Sequence, residues 1–512
     1  MKKSSKPQRP AKGAMPKDTS PAPAAEDLID MDEAIRALKT TRPTFYRWLR
    51  GGKIKGMKVG RQWRFYRADI DRFLKGEEPR IDLAVDVTPL TDALRKKAAE
   101  LGLKMGVPKS ADADGRVVEA VDLIIWMGFF MRGSDIHLAP MLKAVGGEPI
   151  GTVRIRVDGV LQTISEFDMR LLRPLVERWK TMAACNLHET RLPQDGRILV
   201  KVSGRELDLR VSFVPSQLGE ALTVRILDAG AVRLNFDATP FNPADKEKLR
   251  RHLQAPAGVI LCVGPTGSGK TTTLYACLDL VNTPANKVMS VEDPVEYLIP
   301  NMVQIPVRPN VGLTFGMAIR SILRSDPDII LVGEIRDLET VNVAQQAALT
   351  GHLVLSTLHT AQAADALVRM VEMGAAPFIV ADATRAIVAQ RLVRVLCPKC
   401  KRPAEPSANL VAAAQQLALD GGLDWSRMER HFHEPVGCPE CRNIGFRGRT
   451  VMAEVLEVTP EIGAALRRGT KAEELQSLAV RQGMTTLAAD GVRRAAAGQT
   501  TLTEVLRVLG MK

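Results

Sequence analysis

No stretch of this sequence is apolar for long enough to cross a bilayer as a helix. Such a span needs about 20 consecutive apolar residues, and the longest run, Leu123 to Met131, has nine. The first 25 residues (MKKSSKPQRPAKGAMPKDTSPAPAA) carry positive charge but no apolar centre, which argues against a secretory signal. With only 7 cysteines in 512 residues, a disulfide-stapled secreted scaffold is excluded. No repeat of fixed period is present, which excludes a solenoid. The expectation is a cytoplasmic protein.

An apolar fraction of 45% with 25% charged residues is enough to build large cores. The length has room for roughly three to four domains. Net charge is +13, unevenly spread. Residues 1–80 hold 20 Lys+Arg against 10 Asp+Glu, a net of +10, which leaves +3 for the other 432 residues. That asymmetry points to an acidic partner at the N-terminal end, or to a solubilising tail.

Composition divides the chain. Residues 1–27, rich in Pro, Ala, Lys and Ser, read as a disordered basic leader. A compact unit occupies 28–76 and a charged, Pro-containing linker 77–116, with a short helical stretch near Thr91 to Leu101. Residues 117–235 mix helix with period-2 strands (TVRIRVDGVL, GRILVKVS, RELDLRVSFV, ALTVRIL), an α+β pattern. From 236 to 512 strand, glycine loop, helix and strand alternate, as in a parallel α/β core, with a cysteine-bearing insert at 395–445 and a helical tail.

Residues 259–273 read VILCVGPTGSGKTTT. A buried strand (Val259 to Val263) and a helix from Thr271 flank Gly264-Pro265-Thr266-Gly267-Ser268-Gly269-Lys270-Thr271-Thr272, the Walker A pattern in its required context. Glycines let backbone N–H groups close on phosphate oxygens, and the helix N-terminus adds its positive end. Lys270 is expected to reach the β- and γ-phosphates of ATP, and the Thr271 hydroxyl to ligate Mg²⁺. Downstream, Ile329 to Val332 forms a second buried strand ending at Gly333-Glu334, where a carboxylate can polarise water or hold magnesium through water. SVEDPVEY carries Glu292, Asp293 and Glu296, and His352 and His359 bracket an apolar strand. Read from the residues alone, these histidines serve structure or sense a γ-phosphate.

Cys185, Cys262 and Cys277 stand apart as small packing residues. Cys397/Cys400 and Cys438/Cys441 form two C-x-x-C pairs that suit tetrahedral zinc. Four thiolates leave no position open for water, so a structural Zn²⁺ site is expected.

The blocks GPTGSGKTTTLY, VEDPVEY, ILRSDPDIILVGEIRDLETV and LTGHLVLSTLHT, with RGSDIHLAP, RVDGVL and RLPQDGRI upstream, resemble the ATPases of type II secretion and type IV pilus assembly. The similarity runs from about residue 117 to the C-terminus. It implies a RecA-like P-loop NTPase core preceded by an α+β domain, acting as a homo-hexamer peripherally bound at the inner membrane through a platform protein. Glu334 matches that family's Walker B acid and general base, Glu292 its Asp box, and His352 and His359 its His box, with His359 the γ-phosphate sensor. Arg197, Arg210 and Arg225 match the arginine-bearing region of the preceding domain, with Arg320 and Arg324 as further candidates. The cysteine insert resembles the assembly and secretion branch, since retraction motors lack it.

Residues 28–76 depart from that family. They resemble the winged helix-turn-helix of excisionase and MerR-like regulators, and seven of the 22 aromatic residues lie here. Under a DNA-binding reading Arg42, Thr44 and Arg47 face the major groove, and Lys58, Arg61 and Arg64 on the wing neutralise phosphates. The alternatives are protein docking or sensing of an anionic messenger. The expected function is therefore an ATP-driven secretion or pilus-assembly motor; the alternative is a DNA-binding protein carrying an ATPase module.

Overall fold

Asp30 opens the first folded unit as a helix cap. Its carboxylate accepts from Glu33 N at 2.8 Å while Glu33 Oε2 accepts from Asp30 N at 3.2 Å, a reciprocal capping box. The computed structural model containing it describes residues 28–50, 54, 56–59, 62–75, 86–110, 112–145, 147–228 and 235–511. The expected leader (1–27), Arg61 and the Lys58 side chain lie outside the described residues.

The chain begins β1 (Leu28–Asp30), α1 (Met31–Ala37), α2 (Arg42–Arg50), β2 (Met57–Val59), β3 (Gln62–Tyr66) and α3 (Arg67–Leu74). The strands pair antiparallel in the order β1-β3-β2. Phe45 and Phe65, both 0% exposed, meet edge to face at 5.1 Å in the centre of this small core. Trp63 on the wing strand reaches out of the unit to His188, ring centres 5.1 Å apart.

Next come α4 (Thr88–Glu100), α5 (Ala113–Phe130), β4 (Gly133–Leu142), β5 (Pro149–Val157), β6 (Val160–Asp168), α6 (Leu172–Met182), β7 (Gln194–Val202), β8 (Arg205–Ser216) and β9 (Gly219–Asp228). All six strands run antiparallel in the order β6-β5-β4-β9-β8-β7. The run TVRIRVDGVL is broken into a hairpin at Asp158-Gly159, both at positive φ, as a tight two-residue turn demands. One face buries Ile136, Leu138, Val153, Ile155 and Val224 against α5 and α6. Leu90 and Leu94 of α4, from the expected linker, pack into the same core.

The last part contains α7 (Pro243–Leu253), β10 (Gly258–Val263), α8 (Lys270–Val281), β11 (Val288–Glu292), β12 (Met302–Pro306), α9 (Phe315–Leu323), β13 (Ile329–Val332), α10 (Leu338–Leu349), β14 (Leu353–Leu358), α11 (Ala363–Glu372), α12 (Pro377–Ala383) and β15 (Thr384–Leu396). Then follow β16 (Arg402–Pro403), α13 (Ala408–Asp420), β17 (His433–Glu434), β18 (Phe446–Glu457), α14 (Pro460–Arg467), α15 (Ala472–Arg481), α16 (Leu487–Ala496) and α17 (Leu502–Leu509). A seven-stranded sheet runs β12-β11-β13-β14-β10-β15-β18, parallel except for β18. Every residue of β10, β11, β13 and β14 is buried, because helices cover both faces of a parallel sheet.

The six-stranded and seven-stranded halves keep separate hydrophobic cores. Polar bonds join them. Arg442 donates to Met131 O at 2.9 Å and Phe130 O at 2.5 Å, at the C-terminal end of α5. Gly448 N donates to Asp158 Oδ2 at 2.9 Å, and Arg210 reaches Val295 O at 2.9 Å and Glu296 at 3.0 Å. Among the described residues no helix is long and apolar enough to cross a membrane.

Candidate active site

The registers of β10, β14, β13 and β11 bring four strand ends to one edge of the sheet. Val263 pairs with Leu358, Val332 with Ser356, and Val291 with Val332. The residues that follow these ends are the glycine loop, His359, Glu334 and, at the tip of β11, Glu292. The carboxyl ends of parallel strands are where an open α/β sheet binds ligands. A cavity of ≈ 450 Å³ lies there, lined by Thr266 to Thr272, Tyr275, Glu292, Asp293, Glu334, Arg336 and His359, with Arg225 and Leu227 contributed by β9.

Gly264, Gly267 and Gly269 take φ of 149°, 78° and 90°, backbone conformations that favour glycine and shape the loop along the cavity. Lys270 Nζ donates to Gly264 O at 2.7 Å and Pro265 O at 3.2 Å. Burial pushes its ammonium below the ordinary lysine range, and Glu334 opposes that shift. Ser268 Oγ is buried and has no hydrogen-bond partner among the described residues. A glycine loop at a helix N-terminus, an ammonium and a spare hydroxyl fit a nucleoside triphosphate. Thr271 lines the same cavity as Glu292 and Glu334, and together they offer the hard oxygen donors magnesium prefers.

Glu292 is 4% exposed and accepts from Ser290 Oγ at 2.5 Å, Gln304 Nε2 at 3.1 Å and Tyr275 Oη. Glu334 pairs with Arg336 at 2.5 Å and lies 3.6 Å from His359 Nε2. His352 stands at the far end of β14, about 20 Å away at ~3.3 Å per residue, where its Nδ1 contacts Ala347 O at 2.9 Å. Only His359 of the two enters the cavity. Sequence reasoning missed Tyr275, Ser290, Gln304 and Arg336. Arg336 in GEIRD and Ser290 in SVE each stand two residues from their acid and are the readable signals; Gln304 and Tyr275 become neighbours only through strand pairing and helix packing.

The candidate arginines form one cross-strand row. Arg156 opposes Asp135, Asp135 opposes Arg225, Arg225 opposes Arg210, and Arg210 opposes Arg197. Like charges directly opposite each other destabilise a sheet, and each arginine has an acid: Asp135 for Arg225 (3.2 Å), Glu296 for Arg210 (3.0 Å) and Asp208 for Arg197 (2.8 Å). Arg225 lines the cavity and Arg210 grips its rim, whereas Arg197 is 67% exposed and away from it. Arg320 pairs with Glu339 at 2.6 Å and Arg324 donates to Arg320 O at 2.9 Å; neither lines the cavity.

The four insert cysteines converge, with all sulfurs within 4.8 Å. Cys397–Cys438, Cys400–Cys441 and Cys438–Cys441 lie 3.8, 3.7 and 3.7 Å apart. That is the edge of a tetrahedron with ~2.3 Å metal–sulfur bonds, ~3.8 Å, and far from a disulfide. Backbone N–H groups of Gly437, Cys438 and Gly445 point at the sulfurs from 3.3, 3.2 and 3.2 Å, as thiolates require. In the N-terminal unit Arg42 sits 3.7 Å from Asp32, Thr44 Oγ1 accepts from Thr41 at 3.0 Å, Arg64 bonds Gln62 at 2.9 Å, and Arg47 is exposed on α2.

Comparison with known proteins agrees with this geometry. Residues 110–507 match the family model of type II/IV secretion system proteins, and residues 28–78 match a helix-turn-helix domain model. The chain is 40% identical over 424 residues to type II secretion system protein HxcR of Pseudomonas aeruginosa, covering 83% of this chain and 82% of that one. It is 38% identical over 443 residues to the type IV pilus assembly ATPase PilB of Myxococcus xanthus, covering 86% and 75%. The solved structure of the Legionella pneumophila ATPase DotB shares the fold, with a TM-score of 0.54 at 18% identity, covering 76% of this chain and 95% of that one. The chain belongs to the type II/IV secretion system protein family, and it is an ATPase.

Proposed function

We propose that the chain is a hexameric motor that hydrolyses ATP to drive assembly of a type IV pilus or of the pseudopilus of type II secretion, from the cytoplasmic side of the inner membrane and against a membrane platform protein. The carrying observation is the convergence of the glycine loop, Glu292, Glu334 and His359 on one cavity that β9 completes with Arg225. The N–H groups of 267–270 and Lys270 hold the β- and γ-phosphates. Thr271 and the nearby carboxylates hold magnesium, which when bound neutralises phosphate charge. Glu334 takes the proton of the attacking water as the γ-phosphoryl bond to ADP breaks. Arg336 orients that carboxylate, and His359 senses the γ-phosphate. Arg225 and Arg210 serve the cavity of their own chain, while exposed Arg197 is available to a neighbouring one. An arginine spreading transition-state charge accelerates such reactions by about 10³–10⁵. Glu334→Gln is expected to bind ATP and lose turnover, and Lys270→Ala to lose binding; unimpaired hydrolysis by Glu334→Gln overturns the assignment of the base.

The four cysteines hold a structural zinc in this reading. For the helix-turn-helix unit a docking role is favoured over DNA, because the wing residue Trp63 is already engaged with His188 of the same chain. Titration of the full chain with duplex DNA at two salt concentrations tests this. Site-selective binding that survives the higher salt would reverse it, since only the phosphate-driven component is erased by salt.

A further inference from the structure

β15 lies beside β10 with Val263 opposite Ala389, so Gln390 and Arg391 project just past the strand end, beneath the glycine loop. Gln390 is 0% exposed and follows the buried apolar run Ala386 to Ala389 of its strand. A buried amide is tolerated only when its hydrogen bonds are made, and here all go to one motif. Nε2 donates to Ser268 O at 2.8 Å, and Oε1 accepts from Thr273 Oγ1 at 2.8 Å and Cys262 Sγ at 3.4 Å. One side chain thus ties the strand before the loop, the loop itself and the helix after it. The fit is close on both sides. A Cβ added at Gly264 would lie 2.6 Å from Gln390 O, and one at Gly269 3.2 Å from Gln390 Nε2.

Arg391 points elsewhere. Its Nη1 donates to Gln390 O at 3.0 Å and its Nη2 to Ala361 O at 3.1 Å. Ala361 is two residues beyond His359, so the guanidinium joins the floor of the glycine loop to the loop that carries His359. Burial pushes the Arg391 guanidinium below its ordinary range, opposed by Glu454.

We infer that Gln390 and Arg391 are positioning residues with divided roles: Gln390 holds the phosphate loop in its binding shape, and Arg391 holds the His359 loop in register with it for turnover. The inference rests on reading the cavity as the ATP site. Nucleotide binding is separable from turnover, so it is tested by equilibrium binding of ADP and ATPγS together with steady-state kinetics on the full chain. Gln390→Met, similar in volume but without the amide, is expected to weaken both nucleotides about tenfold, the effect of losing a buried hydrogen bond, with kcat at saturation within about threefold. Thr273→Val removes one of the same bonds from the helix side and reads the same effect should Gln390→Met fold poorly. Arg391→Met is expected to leave both affinities within about threefold and to lower kcat about tenfold, while Arg391→Lys, which can still donate to a carbonyl, recovers most of it. Unchanged affinities in Gln390→Met and Thr273→Val, or parallel losses of affinity and kcat in all variants, would overturn the division. If the wild-type chain binds ADP but does not turn over ATP, the motor reading fails while the Gln390 half still stands or falls on affinity.

Discussion

Tyr275 Oη donates a hydrogen bond to Glu292 Oε2, joining the helix that leaves the phosphate loop to the tip of β11. Burial, and then the bond to Glu292, push the phenol well above its ordinary value, so it remains a donor at any working pH. Ser290 and Gln304 bond the other carboxylate oxygen. Glu292 therefore reaches the cavity in one fixed orientation.

Tyr275→Phe keeps the ring in its buried slot and removes that donor. The expected result is a kcat reduced about tenfold, since a positioned hydrogen bond is worth roughly 1–1.5 kcal/mol, with ATP affinity within about threefold. Single-turnover kinetics beside equilibrium binding will separate the two. Full activity in Tyr275→Phe would mean that the orientation of Glu292 is immaterial to turnover.

The cysteine tetrahedron predicts one zinc per chain by atomic absorption. Cys400→Ser should lower that stoichiometry and reduce the melting temperature by more than about 5 °C, because a structural zinc contributes several kcal/mol and each is worth roughly 2–4 °C in a large domain. A metal-depleted chain that melts with the native one would rule out the structural role.

Asp245, 3% exposed in the first turn of α7, is pushed up to about 6 by burial, with Asp490 adding to the shift and Lys248, Arg493 and Asn242 opposing it. A carboxyl raised in the folded state favours folding fully below its unfolded value of 3.8, and that contribution is lost as pH rises through about 6. Asp245→Asn should therefore be more stable than the native chain at pH 7–8, on the order of 2 kcal/mol, and should converge with it near pH 4. Denaturant melts at both pH values measure this, and an equal gap at the two would show that the group does not titrate with folding.

Local chemistry made much of this fold legible. An apolar run followed by three glycines and a lysine needs no long-range information to read as strand, phosphate loop and helix. Asp30 ahead of Glu33 likewise marks a helix start by its own capping preference. The paired cysteines carried their geometry in their spacing. What stayed hidden depends on register between distant segments. Nothing near Arg197, Arg210 or Arg225 says that they stand in one row, or that Asp135, some 90 residues before Arg225, stands among them. His352 and His359 are equivalent in a string, and only the direction of β14 sends one to the cavity and the other to the opposite edge. Gln390 reads as the polar end of the apolar run Ala386 to Ala389 until Ser268 and Thr273 are brought against it.

The joint between the two sheets has a thermodynamic character of its own. Arg442 on the end of α5, Gly448 on Asp158 and Arg210 on Glu296 are hydrogen bonds and an ion pair, and the greasy interiors on either side stay closed around themselves. Pulling such a joint apart exposes little oil to water, and water supplies substitute partners to each freed group. Separation of the halves is therefore opposed chiefly by these polar contacts and not by a shared apolar core. A displacement of one half against the other would leave both cores intact.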